Sequence, residues 1–404
     1  MRIENLKIKN IGPFKSEELR FYREKEDGSK EYPIVIITGE NGTGKSIIID
    51  SIRGNIKSLF GINRDIVADK DDFEISVDLF FDNQKHEFKC TKLQDGKLST
   101  RNNNIFGVFL AEKPPKVNWI IDYWTPILGT DGFTISNLSP IDTDHPLRGA
   151  LDGVNVNVEL TKFICSVDYL RNSDNKSEAD KGRYVYNILK KIINDCLGKD
   201  AQFSHVQRSS LKPIIKINNQ EISLDKLSSG NILLVEHFVR LIYRLYCICE
   251  NCGKPINEMC SVEGVLLIDE IENHLHPKWQ KSVIGIIKKY FPNLQIILTT
   301  HSPYVVSSVE DPIVYVCESQ IECSTVKFVQ ESYYNKPVDE VLNATAFKVG
   351  PFNSEVSELL SKRKKAIAEG NTVQVSKIEK QLIKLNEEYF SFYSVAGKTV
   401  FYEK

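Results

Sequence analysis

Hydrophobic positions along this chain alternate in some stretches, run unbroken in others, and elsewhere recur at helical spacing. Near the N-terminus, Ile3, Leu6, Ile8 and Ile11 predict a strand that turns at Gly12-Pro13-Phe14. Residues 19–22 follow, then a polar turn over 24–30. Residues 73–81 alternate strictly, Asp82-Asn83-Gln84-Lys85 offers a turn, and 86–93 alternate back. That is a hairpin, expected in an antiparallel layer laid on the main sheet. Three unbroken apolar runs, 33–38, 265–268 and 294–298, have the character of strands buried on both faces.

Helical spacing appears over 156–171 and 181–197, as in Tyr186, Ile188, Leu189, Ile192 and Ile193, with the polar stretch 172–181 as an internal linker. Neither segment sustains heptads, so no long coiled-coil arm is expected. A hairpin over 211–224 leads to an apolar helix over 232–249, and Pro277 suits the first residue of a helix reaching Tyr290. Strands at 313–316 and 325–329 precede a tail of three helices over 338–389. Residues 99–144 read poorly: 105–110 suit a strand, and Pro114-Pro115 with Trp119, Tyr123 and Trp124 suit a loop-and-helix cover. These aromatics are read as core and not as a base-stacking platform. Buried strands alternating with helices predict an α/β fold with a mostly parallel sheet and right-handed crossovers.

Composition changes this picture little. The 404 residues suffice for a large core, and the net charge of −2 provides no global field for nucleic acid. Nine cysteines, no signal-like segment and no apolar run of bilayer length suit reduced thiols in a cytoplasmic, non-membrane protein.

Chemistry gathers at the ends of the buried runs. Gly39-Glu40-Asn41-Gly42-Thr43-Gly44-Lys45-Ser46 fits the P-loop pattern, between a buried strand and a helix. Its glycines allow backbone N–H groups to close on phosphate, Lys45 can reach the β- and γ-phosphates of ATP, and Ser46 can ligate Mg²⁺. Asp269 ends the second run, where a Walker B aspartate approaches the same Mg²⁺, and Glu270 can act as general base on water. His301 follows the third run and can report a γ-phosphate. Ser228, Ser229 and Gly230 head the apolar helix, as an anion site or as an ordinary cap. Cys249 and Cys252, with Cys247 and Cys260 nearby, have half the spacing of a zinc site but are better read as thiols. His274 and His276 are further ligand candidates, and the basic run 361–365 is read as a solvated helix face.

In their order along the chain, 39–46, 227–231, 266–270 and 300–301 resemble the motifs of ATP-binding-cassette ATPases. The stretch Glu272-Asn273-His274-Leu275-His276-Pro277 is similar to the RecF/OLD-like branch, and the segments around 335–342 and 352–356 resemble the tail of the ATPases of Septu-type and retron-associated antiphage systems. The resemblance implies an ABC-type head split into 1–155 (P-loop and antiparallel layer), a short helical insertion 156–210, a second half 211–335, and a partner-binding helical tail 336–404. It also implies an ATP-sandwich homodimer, open to higher oligomers. Lys45, Ser46, Asp269, Glu270 and His301 of one subunit would face Ser228 and Gly230 of the other. The Q-loop glutamine stays unassigned. No nuclease motif is recognised in the tail, so cleavage would fall to a separate HNH nuclease, with nucleic acid reached directly or through it. A RecF-type DNA-repair ATPase binding DNA itself, and an ATP-binding scaffold with little turnover, stay open as alternatives.

Overall fold

The computed structural model describes the chain except residues 58–65, 67–71, 93–97, 102–115, 130–132, 154–156, 200, 346, 348–351 and 391–404. The strand proposed over 105–110 and the Pro114-Pro115 step lie outside the described residues.

Strand β1 (Arg2–Ile11) buries Ile3, Leu6, Ile8 and Ile11. Ile3 is out of phase with Leu6 and Ile8, and a bulge between Ile3 and Asn5 restores the inward face. After it come β2 (Phe14–Arg20), a ribbon of β3 (Arg23–Glu24) with β4 (Lys30–Glu31), β5 (Val35–Gly39) and helix α1 (Lys45–Ile56). Then β6 (Glu74–Phe81) returns as β7 (Gln84–Lys92) through Asp82 and Asn83, both at positive φ, as a two-residue hairpin turn demands. Next are β8 (Leu98–Arg101) and β9 (Trp119–Trp124), whose six residues are all buried. The loop-and-helix cover expected around those aromatics is instead this strand, because Trp119, Ile120, Ile121 and Tyr123 are wrapped on both faces.

Helices α2 (Asn157–Leu170) and α3 (Lys176–Leu197) lead to β10 (Ala201–Gln207), β11 (Lys212–Ile217) and β12 (Gln220–Ser223), a separate antiparallel sheet. The linker expected over 172–181 is shorter than its polarity suggests. Asn175 accepts from the N–H groups of Ser177 and Glu178, which starts α3 at Lys176. The long helix α4 (Ser229–Cys252) precedes β13 (Glu263–Ile268), α5 (Pro277–Gln280) and α6 (Val283–Tyr290). The single helix expected from Pro277 to Tyr290 thus breaks at Lys281-Ser282. Last in this unit are β14 (Leu294–Thr299), α7 (Pro303–Val306), β15 (Ile313–Ser319) and β16 (Ser324–Val329).

Among the described residues the main sheet has eleven strands in the order β8-β7-β6-β1-β2-β16-β15-β5-β14-β13-β9. Strands β15, β5, β14, β13 and β9 run parallel, and β8 to β2 form an antiparallel wing. The wing is therefore continuous with the parallel block at β16. It also curls over α1, which packs on β1, β6 and β7 as well as on β5 and β14. Gln295 of β14 closes the gap: its Oε1 accepts from Ile3 N–H and its Nε2 donates to Ile3 O, both at 2.8 Å.

The chain divides into two compact units, Met1–Val338 and Asp339–Lys404. Around and beyond that boundary, α8 (Val338–Asn343) is followed by α9 (Ser354–Ala368), α10 (Thr372–Leu385) and α11 (Glu387–Phe390), one helix more among the described residues than expected. Val356, Ile378, Leu382 and Phe390 form the core of the second unit. Of the basic run, Arg363 pairs with Glu379 and Lys362 with Glu358. No helix among the described residues is long and apolar enough to cross a membrane.

Candidate functional site

Where the apolar run of β5 ends, Gly39, Gly42 and Gly44 hold φ at 139, 80 and 100°. At Gly39 and Gly44, space as well as backbone excludes side chains. A Cβ on Gly44 would lie 2.6 Å from the Phe14 ring, and one on Gly39 would lie 2.2 Å from Cys317 O. The β1–β2 turn and β15 thus mould the loop from outside, while Asn41 and Gly42 stand exposed at its tip. Thr43 Oγ1 donates to Glu40 O at 2.8 Å, and Lys45 folds back so that Nζ donates to Gly39 O at 3.1 Å and Glu40 O at 2.7 Å. Lys45 is buried, and that burial pulls its pKa below the ordinary lysine value. A buried ammonium at a helix N-terminus with glycine N–H groups around it fits a phosphate anion.

Parallel pairing brings the second set of groups to the same sheet end. Asp269 follows β13 and is 1% exposed. Its Oδ1 accepts from Ser46 Oγ at 2.8 Å and from Thr299 Oγ1 at 2.7 Å. A hydroxyl and a carboxylate converging in this way are hard oxygen donors of the kind Mg²⁺ takes, and they fit that ion. Glu270 adopts φ 49°, unusual for a residue with a side chain, and its N–H donates to Thr299 Oγ1 at 2.8 Å. His301 stands past β14, whose end is fixed by Thr300 N–H donating to Ile37 O at 3.0 Å. Burial and then the Lys45 charge hold the His301 imidazole below the usual histidine range, against a hydrogen bond with the Gly39 backbone.

Lys45, Ser46, Asp269, the Glu270 backbone and His301 therefore meet around one loop. Ser228 and Ser229 are exposed at the head of α4, where Ser228 makes no side-chain cap bond. Gly230 is buried, and a Cβ on it would lie 2.1 Å from His274 O. Among the described residues no hydrogen bond joins Ser228, Ser229 or Gly230 to the P-loop of the same chain.

Sequence reasoning named Thr299 only as a strand end, and quoted Thr300 and Glu272 within the 300–301 and 272–277 stretches without a role for any of the three. Thr300 Oγ1 donates to Glu272 Oε2 at 2.7 Å, and His301 N–H donates to Glu272 Oε1. The signal was a Thr-Thr pair before His301 and a second glutamate two residues after Glu270. Elsewhere, His276 Nδ1 accepts from Lys278 N–H as the cap of α5. Burial pushes the Cys249 thiol up to about 12, and among the described residues no group of three or more His, Cys, Asp or Glu side chains could hold a metal.

Strands β5, β14 and β13 lie side by side and deliver all three motif ends to one edge, as in the head of an ABC-type ATPase. A family model described as "AAA domain" matches residues 5–232, more than half of the chain, and the chain belongs to that family. A second, "AAA domain, putative AbiEii toxin, Type IV TA system", matches residues 218–307. The chain is 27% identical to "Septu protein PtuA" of Bacillus thuringiensis over 325 residues, 76% of this chain and 73% of that protein. It is 30% identical to "Retron Ec83 probable ATPase" of Escherichia coli over 188 residues, 44% of this chain but 33% of that longer protein. Among solved structures, an SMC head bound to the C-winged helix domain of ScpA matches with a TM-score of 0.50 and 15% identity, over 81% of this chain and 98% of that one, a likeness of fold.

Proposed function

We propose that this chain is a dimeric switch ATPase that binds and hydrolyses ATP and governs a separate nuclease, of HNH type, in an antiphage complex. The observation that carries the ATPase reading is the 2.8 Å bond between Ser46 and Asp269, which brings a P-loop hydroxyl and a strand-end carboxylate together from distant parts of the sequence. Gly39 to Ser46 bind and orient the phosphates, with Lys45 turning from the loop carbonyls to the anion. Ser46 and Asp269 would hold Mg²⁺, which when bound neutralises phosphate charge. Glu270 takes the proton of the attacking water, and His301 donates toward the γ-phosphate. The exposed Ser228 and Ser229 at the head of α4 support a composite site, completed by a second copy, because their N–H groups and hydroxyls are free to meet an anion. Similarity to Septu protein PtuA supports the defence role, and the proposed protein partner would bind through the helical tail.

Glu270→Gln tests the reading. Turnover should fall by on the order of a hundredfold or more, and the variant should accumulate with ATP as a dimer in light scattering after gel filtration. Unchanged steady-state hydrolysis would remove Glu270 from the role of base.

A further inference from the structure

The loop between β13 and α5 touches three elements around the candidate site. Asn273 Nδ2 donates to Pro126 O at 3.1 Å, beyond β9. His274 O lies where a side chain on Gly230 would stand, at the head of α4. The third contact is the Glu272 carboxylate, which accepts from Thr300 Oγ1 at 2.7 Å and from the N–H of His301.

These bonds close into a ring. Ser302 N–H donates to Thr300 Oγ1 at 2.9 Å, and Ser302 Oγ donates to Gln280 Oε1 at 2.6 Å. Gln280 Nε2 donates to Leu275 O at 2.8 Å, and Leu275 N–H donates back to Glu272 O at 2.9 Å. Thr300 and Ser302 are buried, so each bond in the ring satisfies a group that water reaches poorly.

We infer that Glu272 is the positioning residue for His301, fixing the imidazole against the P-loop through the His301 amide and tying that position to the loop that abuts Gly230. The inference rests on the ATPase reading above and adds a route within one subunit between its two half-sites. A carboxylate suits the task because it accepts both bonds at once, one oxygen each. Movement of α4 against His274 O is then felt at His301 without a contact between α4 and the P-loop.

Glu272→Ala, His301→Ala and the double variant test this. Glu272→Ala should lower kcat by about a hundredfold with ATP affinity changed less than about threefold, and the double variant should be no slower than His301→Ala alone. Glu272→Gln keeps an acceptor for the His301 amide and should recover at least about tenfold of the loss. Multiplicative losses in the double variant, or a Gln variant as slow as the Ala one, would overturn the inference while leaving the ATPase reading intact. Hydrogen exchange supplies a readout independent of turnover, and Glu272→Leu, which also lacks an acceptor for the His301 amide, is the variant to follow if the alanine one does not fold. The His301 amide should exchange faster in the variant than in the native chain, with the amides of 39–46 unchanged. An unaltered His301 amide would overturn the inference even if the native chain hydrolysed no ATP, a result that by itself would refute the ATPase reading.

Discussion

At the scale of single residues, Glu270 states the site's priorities most clearly. Its φ of 49° is a conformation that glycine adopts freely and glutamate adopts at a cost of about 1–3 kcal/mol. The carboxylate is kept in spite of that cost. Glu270→Gly should therefore leave the melting temperature unchanged or raise it, by up to about 1 kcal/mol of stability, while abolishing turnover. A melting curve and an ATPase assay on one preparation check both halves, and a large loss of stability would mean the side chain holds the fold. Much of the residue-level site was legible because P-loop, Asp269-Glu270 and His301 are each contiguous words. Thr299 and Glu272 were not legible, since their partners lie about thirty residues away and nothing local marks a threonine whose hydroxyl faces an aspartate.

Elements were legible where burial is one-sided or complete. The apolar runs of β5, β13 and β14 appear as strands, since parallel strands covered on both faces tolerate few polar residues. The boundary at α3 was less legible, because an exposed first helical turn and a loop share the same polar composition. The local signal was Asn175 with Glu178 three positions on, the arrangement of a helix start. Asn175→Ala should cost about 1 kcal/mol, read as a shift of the urea midpoint with an unchanged slope. A shift under a third of that would mean α3 is held by its packing on α2, α4, β10 and α6 without help from the cap. The split of the helix after Gln280 was hidden for another reason. Its amide serves Leu275 and Ser302, a tertiary arrangement that periodicity does not encode.

At the scale of the whole molecule, buried titratable groups set the window of stability. His237 is buried against Trp124, with its pKa well below the ordinary 6.5, chiefly through loss of solvent. The unfolded chain binds a proton there that the native chain refuses, so stability falls as pH drops below about 6.5. Burial raises the thiols of Cys165, Cys247, Cys249 and Cys317 from 9.0 to about 12. The unfolded chain releases those protons first, so stability also falls as pH rises above 9. Urea midpoints at pH 5.5, 7.5 and 10 should peak at the middle value, and a midpoint that climbs at pH 10 would contradict the burial of the thiols. What no local pattern could reveal is the joining of wing and parallel block around α1, since alternation fixes the face of a strand but not its neighbour. The order of that sheet also sets a timetable for synthesis. Strand β5 hydrogen-bonds to β14 and β15, both made long after it, and β13 leaves the ribosome before β14 can tie it to β5. A nascent chain thus carries an unpartnered P-loop until residues 294–319 emerge. The site that would hold nucleotide is therefore completed only in a chain whose translation has passed β15, and half-made copies lack it.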